Sequence, residues 1–129
     1  METPIFKPGD MVTAFYKTGK YIGEVTDARP QSYLVRVLAV EKHPQQGDLH
    51  NPRQADVPLF HQRRALAFRE QTNVPQNMVR TYEGSVPDYK ESLKAAIGKA
   101  LLELEEKKDE WSIKSITSLK ELERDYFEG

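Results

Sequence analysis

The run YLVRVLAVEKHPQQGDLHNPRQAD, residues 33–56, is where the chain changes character. Its first eight residues read as a strand. Tyr33, Val35, Val37 and Ala39 fall on one face, and Leu34, Leu38 and Val40 on the other. Apolar on both faces apart from Arg36, this is expected to be the central strand. From His43 to Asp56 the composition turns to amides, imidazoles and turn formers, with Leu49 the one aliphatic residue. So polar a connection in a small domain is either a recognition surface or a rigid clasp. The turn residues at Pro44, Gly47-Asp48 and Asn51-Pro52 favour a clasped shape, with Asp48 or a histidine bonded to the backbone.

Upstream, Pro8-Gly9-Asp10 is a turn leading into the strand Met11–Tyr16, whose Val12, Ala14 and Tyr16 share a face. Lys17-Thr18-Gly19-Lys20 is a second turn, with Gly19 the residue suited to positive φ. A strand over Tyr21–Thr26 follows, with Gly23 marking a bulge or a close backbone approach. Pro30 requires that strand to have ended.

Downstream, Ala55–Phe60 resumes apolar character, with Pro58 at an edge or strand end. Arg63–Arg69 is read as a strand, with Arg64, Leu66 and Phe68 to one side. Thr72-Asn73-Val74-Pro75 breaks the pattern, and Met78–Tyr82 is a last short strand. Four or five short curved strands joined by tight turns imply a small antiparallel barrel, SH3-like.

The rest is helical. Ser85 is the expected cap of a first helix, with Asp88 completing a capping box and Pro87 in the first turn. Tyr89, Leu93, Ala96, Ile97, Ala100, Leu101 and Leu104 form its stripe. Gly98 would mark a close approach of another element. Asp109 caps a second helix with Ile113, Ile116, Leu119, Leu122 and Tyr126 in line, and Trp111 and Phe127 beside that line. A hairpin of two helices is expected rather than one long bent helix. The fold class is therefore α+β: an SH3-like antiparallel β-barrel over residues 1–82, then a C-terminal helical appendage over 83–129. Charge divides at the same place, with a net of +3 for residues 1–82 and −4 for 83–129, in a chain of net −1.

Composition narrows the function. Of 129 residues, 38% are hydrophobic and 30% charged, enough for one modest core. No stretch approaches the roughly 20 apolar residues of a membrane-spanning helix. The absence of cysteine removes disulfides, thiolate metal sites and thiol nucleophiles. METPIFKPGD lacks a basic segment followed by an apolar run, so a cytoplasmic location is expected.

His43, Asp48, His50 and His61 are ligand types, but their spacing fits no zinc motif; no metal or cofactor is expected. Serines occupy a polar connection, a cap or helices, and none sits in a glycine-rich elbow, so no enzyme is expected. A barrel with Tyr16, Tyr21, Tyr33, Phe60 and Phe68 beside Arg53, Arg63, Arg64 and Arg69 raises a nucleic-acid surface as the alternative. Aromatics at strand spacing are more often core, so nucleic acid is the weaker reading. The stronger one is a protein-binding module, with contacts at His43, Gln46, Asp48, His50, Arg53, Arg63 and Arg64 and at Trp111 on the second helix.

Four stretches, FYKTGKYIGEV (15–25), YLVRVLAVEKHPQQGDLHNP (33–52), RRALAFREQTNVP (63–75) and VPDYKESL (86–93), resemble the kinase-associated protein B family; LKELERDYF (119–127) agrees in character. The resemblance covers nearly the whole chain. It implies a non-enzymatic accessory protein that helps activate a membrane sensor histidine kinase feeding the sporulation phosphorelay. The family is named a lipoprotein in places, which departs from a sequence without cysteine. Membrane association is then expected through the kinase, not by direct insertion. Self-association stays open, and the resemblance carries over no catalytic or ligand residue.

Overall fold

The computed structural model describes residues 5–48 and 50–128; Leu49, Met1–Pro4 and Gly129 lie outside the described residues. Five strands run β1 (Met11–Tyr16), β2 (Gly19–Ala28), β3 (Ser32–Lys42), β4 (Gln71–Pro75) and β5 (Val79–Thr81). Two helices follow, α1 (Tyr89–Lys107) and α2 (Glu110–Phe127). The sheet is antiparallel in the order β4-β3-β2-β1-β5. Its two edges, β4 and β5, are joined by a single 3₁₀ turn, Gln76–Met78. So short a link brings opposite edges together only if the sheet curls on itself, which is the SH3-like arrangement the sequence implies.

The curl has a local cause. Pairing of β2 with β3 shifts register between Lys20 and Tyr21, between Ile22 and Gly23, and between Val25 and Asp27. Each irregularity bends the ladder and adds twist. At Gly23 a side chain would meet the Arg36 carbonyl oxygen at 2.6 Å, so the backbones cross there too closely for any other residue. The bent β2–β3 pair feeds two cores. Val12, Ala14, Val25, Tyr33, Val35, Val74 and Val79 fill the barrel. Tyr21, Val37 and Val40 instead pack with Ala65 and with Leu93 and Ala96 of α1. This explains a β3 that is apolar on both faces. The middle strand of the sheet is nevertheless β2, and β3 lies one place from the edge.

The strand signals at Met11–Tyr16, Tyr21–Thr26 and Met78–Tyr82 coincide with β1, β2 and β5. Two others do not. Ala55–Phe60 and Arg63–Arg69 contain no strand, and β4 falls at Gln71–Pro75, where the pattern breaks. Positive φ at the β1–β2 turn belongs to Lys17 (53°) and not to Gly19, whose missing side chain leaves room for the Tyr21 ring.

Helix α1 is capped by Asp88, not Ser85: its carboxylate accepts the Glu91 N–H at 3.1 Å. Asp109 caps α2 as expected, accepting from Ser112 N at 2.7 Å. Between them Lys108 takes a left-handed conformation (φ 58°), and so short a connection folds the helices back as a hairpin. Gly98 approaches nothing; no atom lies within 4 Å of where its side chain would stand. On α2 the buried face is Trp111, Ser112, Ser115, Ser118, Leu119 and Leu122, whereas Ile113 is 57% exposed. The stripe is turned from the expected one because three serines are buried in it. With Ile97 and Leu104 of α1, Trp111, Leu119 and Leu122 form a third core, each fully buried leucine or isoleucine contributing about 1.5–3 kcal/mol.

Candidate functional site

Between Lys42 and Gln71 the described residues contain no helix or strand. A connection this long survives as structure only if its polar backbone finds partners. They come from side chains of the connection itself, of the barrel and of both helices, and from backbone pairs such as the Gly47 N–H on the His61 carbonyl at 2.8 Å.

Gln46 is the hub. Only 4% exposed, its carboxamide nitrogen donates to the carbonyls of Arg63 (2.9 Å) and Pro44 (3.1 Å). Its carboxamide oxygen accepts the Arg63 N–H (2.9 Å) and the Ser118 hydroxyl (2.7 Å). Both amide hydrogens and both lone pairs are thus used. The Gln46 backbone carbonyl accepts the Trp111 indole N–H at 3.1 Å. One residue of the connection therefore ties its own far end and two turns of α2.

His43 forms a second joint. Its Nδ1 lies 3.0 Å from the Pro44 carbonyl and its Nε2 3.0 Å from the Tyr126 hydroxyl. A carbonyl can only accept, so Nδ1 carries the hydrogen and Nε2 accepts from Tyr126. The Tyr126 oxygen in turn accepts the Ala65 N–H at 3.0 Å. Burial pushes the imidazole down to about 4, against a smaller upward pull from the Pro44 carbonyl. His43 is a neutral structural link between β3, the returning chain and the end of α2.

The returning segment is extended but paired with side chains. Tyr21 Oη accepts the Leu66 N–H (3.2 Å), Tyr89 Oη donates to the Leu66 carbonyl, and Glu70 accepts the Ala67 N–H (2.8 Å). Burial raises both tyrosines to about 12. The strand-like sequence meets β3 by backbone only at its end, where the Arg69 N–H donates to the Val37 carbonyl at 2.7 Å; the rest of its ladder is built from the side chains of Gln46, Tyr126, Tyr21, Tyr89 and Glu70.

The outer loop is folded on itself. Asp48 accepts the His50 N–H (2.9 Å) and the Asn51 side-chain amide (3.0 Å), and the Asn51 bond, then the His50 bond, hold its carboxyl below the ordinary range. Gly47 (φ 101°) stands where a side chain would meet the Phe60 ring at 3.0 Å. Arg63 Nε donates to the Gly47 carbonyl, and Arg64 pairs with Asp125 over the Tyr126 ring.

The eight residues singled out by sequence divide accordingly. His43, Gln46 and Trp111 are buried joints, and all three also line a cleft beside the clasp. Asp48 and Arg63 brace the loop. His50, Arg53 and Arg64 are exposed, Arg64 in its ion pair. Among the described residues no group of three or more histidine or acidic side chains could hold a metal ion. Tyr21 and Tyr33 are spent in the core, at 2% and 3% exposure, so they are not available to the aromatic platform of the weaker, nucleic-acid reading. Ser118, Tyr126, Tyr21 and Tyr89 were not legible as site residues; the serines of α2 at 112, 115 and 118, recurring on one helical face, were the available signal.

A curled five-stranded barrel locked to a helical hairpin by buried polar joints defines a rigid barrel-and-hairpin module. A family model described as Kinase associated protein B matches residues 16–127, and the chain belongs to that family. It is 56% identical over 122 residues to the kinase-associated lipoprotein B of Bacillus subtilis (strain 168), covering 95% of each chain. Its fold is that of the X-ray crystal structure of kinase-associated protein B from Bacillus cereus: TM-score 0.81, 48% identity, covering 95% of this chain and 98% of that one. The family is named for association with a kinase. Among the described residues no helix is long and apolar enough to cross a membrane.

Proposed function

We propose that this protein is a non-enzymatic adaptor that binds a membrane sensor histidine kinase feeding the sporulation phosphorelay and helps activate it. The barrel (1–82) and the helical appendage (83–129) act as one binding unit, cytoplasmic and recruited to the membrane by the kinase. Membership of a family named for kinase association carries the reading. The geometry supports it: the polar connection is used up in holding barrel and hairpin together, as a preorganised recognition surface requires. The histidines of that connection are a structural joint, His43, and exposed side chains, His50 and His61.

The test is autophosphorylation of the kinase in membranes, with and without purified protein, beside a quantitative pull-down. Binding and a raised phosphorylation rate are expected. A protein that neither binds nor changes the rate is not a kinase adaptor.

A further inference from the structure

A cleft of about 400 Å³ opens beside the clasp, between the end of β3, the start of the connection and both helices. That is the size of a small recognition pocket. Its rim is cationic. Lys20 is paired with Glu41 at 3.1 Å. The other charges on the rim are Lys42, Arg53, Lys99 and Lys107 against a single carboxylate, Glu103. None of these five makes a salt bridge among the described residues. A net charge of +3 thus gathers at one opening of a chain whose total is −1. Lys99 and Lys107 bring it there from the acidic helical part.

The floor is different. Leu104 and Trp111 line it, and the indole N–H is already spent on Gln46, so the ring offers only apolar surface. Beside them Ser115, 1% exposed, holds a hydroxyl that, like that of Ser112 away from the cleft, has no hydrogen-bond partner among the described residues. A helical serine can usually bond the carbonyl four residues back; this one does not, and an unpaired buried hydroxyl calls for an explanation. A ligand atom reaching the floor would supply the partner.

We propose that this cleft docks an acidic segment of the kinase, with an apolar side chain against Trp111 and Leu104 and a polar atom meeting Ser115. This rests on the kinase-adaptor reading and adds the surface and its chemistry. The cations come from β3, the connection and α1, so they flank the cleft rather than converge on one point. That spacing suits several carboxylates along a chain better than one small anion. Because the clasp fixes the walls, little ordering is left for binding to offset.

The test measures affinity of the full chain for the membrane-embedded kinase over a salt series. Two charge reversals are compared: Lys42→Glu/Lys99→Glu/Lys107→Glu at the cleft, and Lys7→Glu/Lys94→Glu/Lys120→Glu away from it. The cleft variant is expected to bind about tenfold more weakly, with a flatter salt dependence, and the remote variant to stay within about twofold of wild type. Ser115→Ala should weaken binding while leaving thermal stability equal or higher, which a purely structural serine would not do. Equal binding by wild type and the cleft variant overturns the proposal, as does equal weakening by both reversals. If the cleft variant keeps the kinase but loses binding to phosphatidylglycerol vesicles, a lipid surface is the occupant and the proposal fails. If wild type itself does not bind the kinase, the adaptor reading falls first.

Discussion

The side chain of Gln46 pairs with both backbone groups of Arg63, accepting from its N–H and donating to its carbonyl, each at 2.9 Å. A carboxamide stands in for a neighbouring strand. The connection leaves the sheet at Lys42, turns out into solvent and returns, and this one residue closes it. The same amide oxygen takes the Ser118 hydroxyl, so the closure also docks α2.

Replacing Gln46 with alanine therefore strands more than one group. The Arg63 N–H and the Ser118 hydroxyl lose their acceptor in a buried setting, and each such loss costs about 1–3 kcal/mol. Gln46→Ala is expected to cost about 2–4 kcal/mol in denaturant unfolding, with sheet and helix signals kept in far-UV circular dichroism. A change below about 0.5 kcal/mol would show that water replaces the amide freely, and the hub role would fail.

His43 makes stability depend on pH. Its folded value is about 4 against an ordinary 6.5. Between these values the unfolded chain binds a proton that the folded chain refuses. Stability is therefore full above about 6.5 and falls as pH drops, by up to about 3 kcal/mol at pH 4. The lowered carboxyls of Asp48 and Asp109 lose their contributions only below 3.8, so the two effects separate. Unfolding midpoints at pH 7, 6, 5 and 4, with the His43 ring followed by NMR, would check this. A ring titrating near 6.5 would contradict its burial.

The two interior glycines should respond oppositely. Gly98 sits in α1 with open space around its Cα, so Gly98→Ala should gain about 0.5–1 kcal/mol from helix propensity. Gly23 lies under the Arg36 carbonyl, where a methyl cannot fit, and Gly23→Ala should cost about 1–3 kcal/mol. Thermal melts of the two variants side by side decide it. The same sign for both would show that the β2–β3 crossing yields easily.

Much of this architecture was legible because periodicity reports burial. Val12, Val35, Leu93 and Leu119 all sit inside, as their spacing implies. It failed where a partner is not apolar or not local. β4 holds a single buried apolar residue, Val74, and owes its strand state to pairing with β3. Arg63–Arg69 looks like a strand because it is extended, yet its backbone bonds mostly to side chains and reaches β3 only at Arg69. Ile113 was placed in the α2 stripe because serines do not count as apolar, although Ser112 and Ser115 occupy the buried face. Gln46 stood out in the polar loop, but its bond to Ser118 spans 72 residues, and nothing near either residue in sequence encodes it.

Tyr126 offers the finest probe of the clasp. Its hydroxyl donates to His43 Nε2 and accepts from Ala65 N, while its ring packs on Phe127 and beneath Arg64. Tyr126→Phe keeps the ring and removes only the relay. His43 and Ala65 would each keep a polar atom facing a dry phenyl edge, at a cost of about 2 kcal/mol. Above about pH 6.5 that loss should appear in full. On acidification the variant should lose less further stability than wild type. The hydroxyl proton stabilises the neutral ring at Nε2, and without it the ring takes up a proton more easily, although burial continues to hold it down. Denaturation of both proteins at pH 7 and pH 5 measures the coupling directly. A constant difference between them at both pH values would mean that the Tyr126 hydroxyl does not set the state of His43.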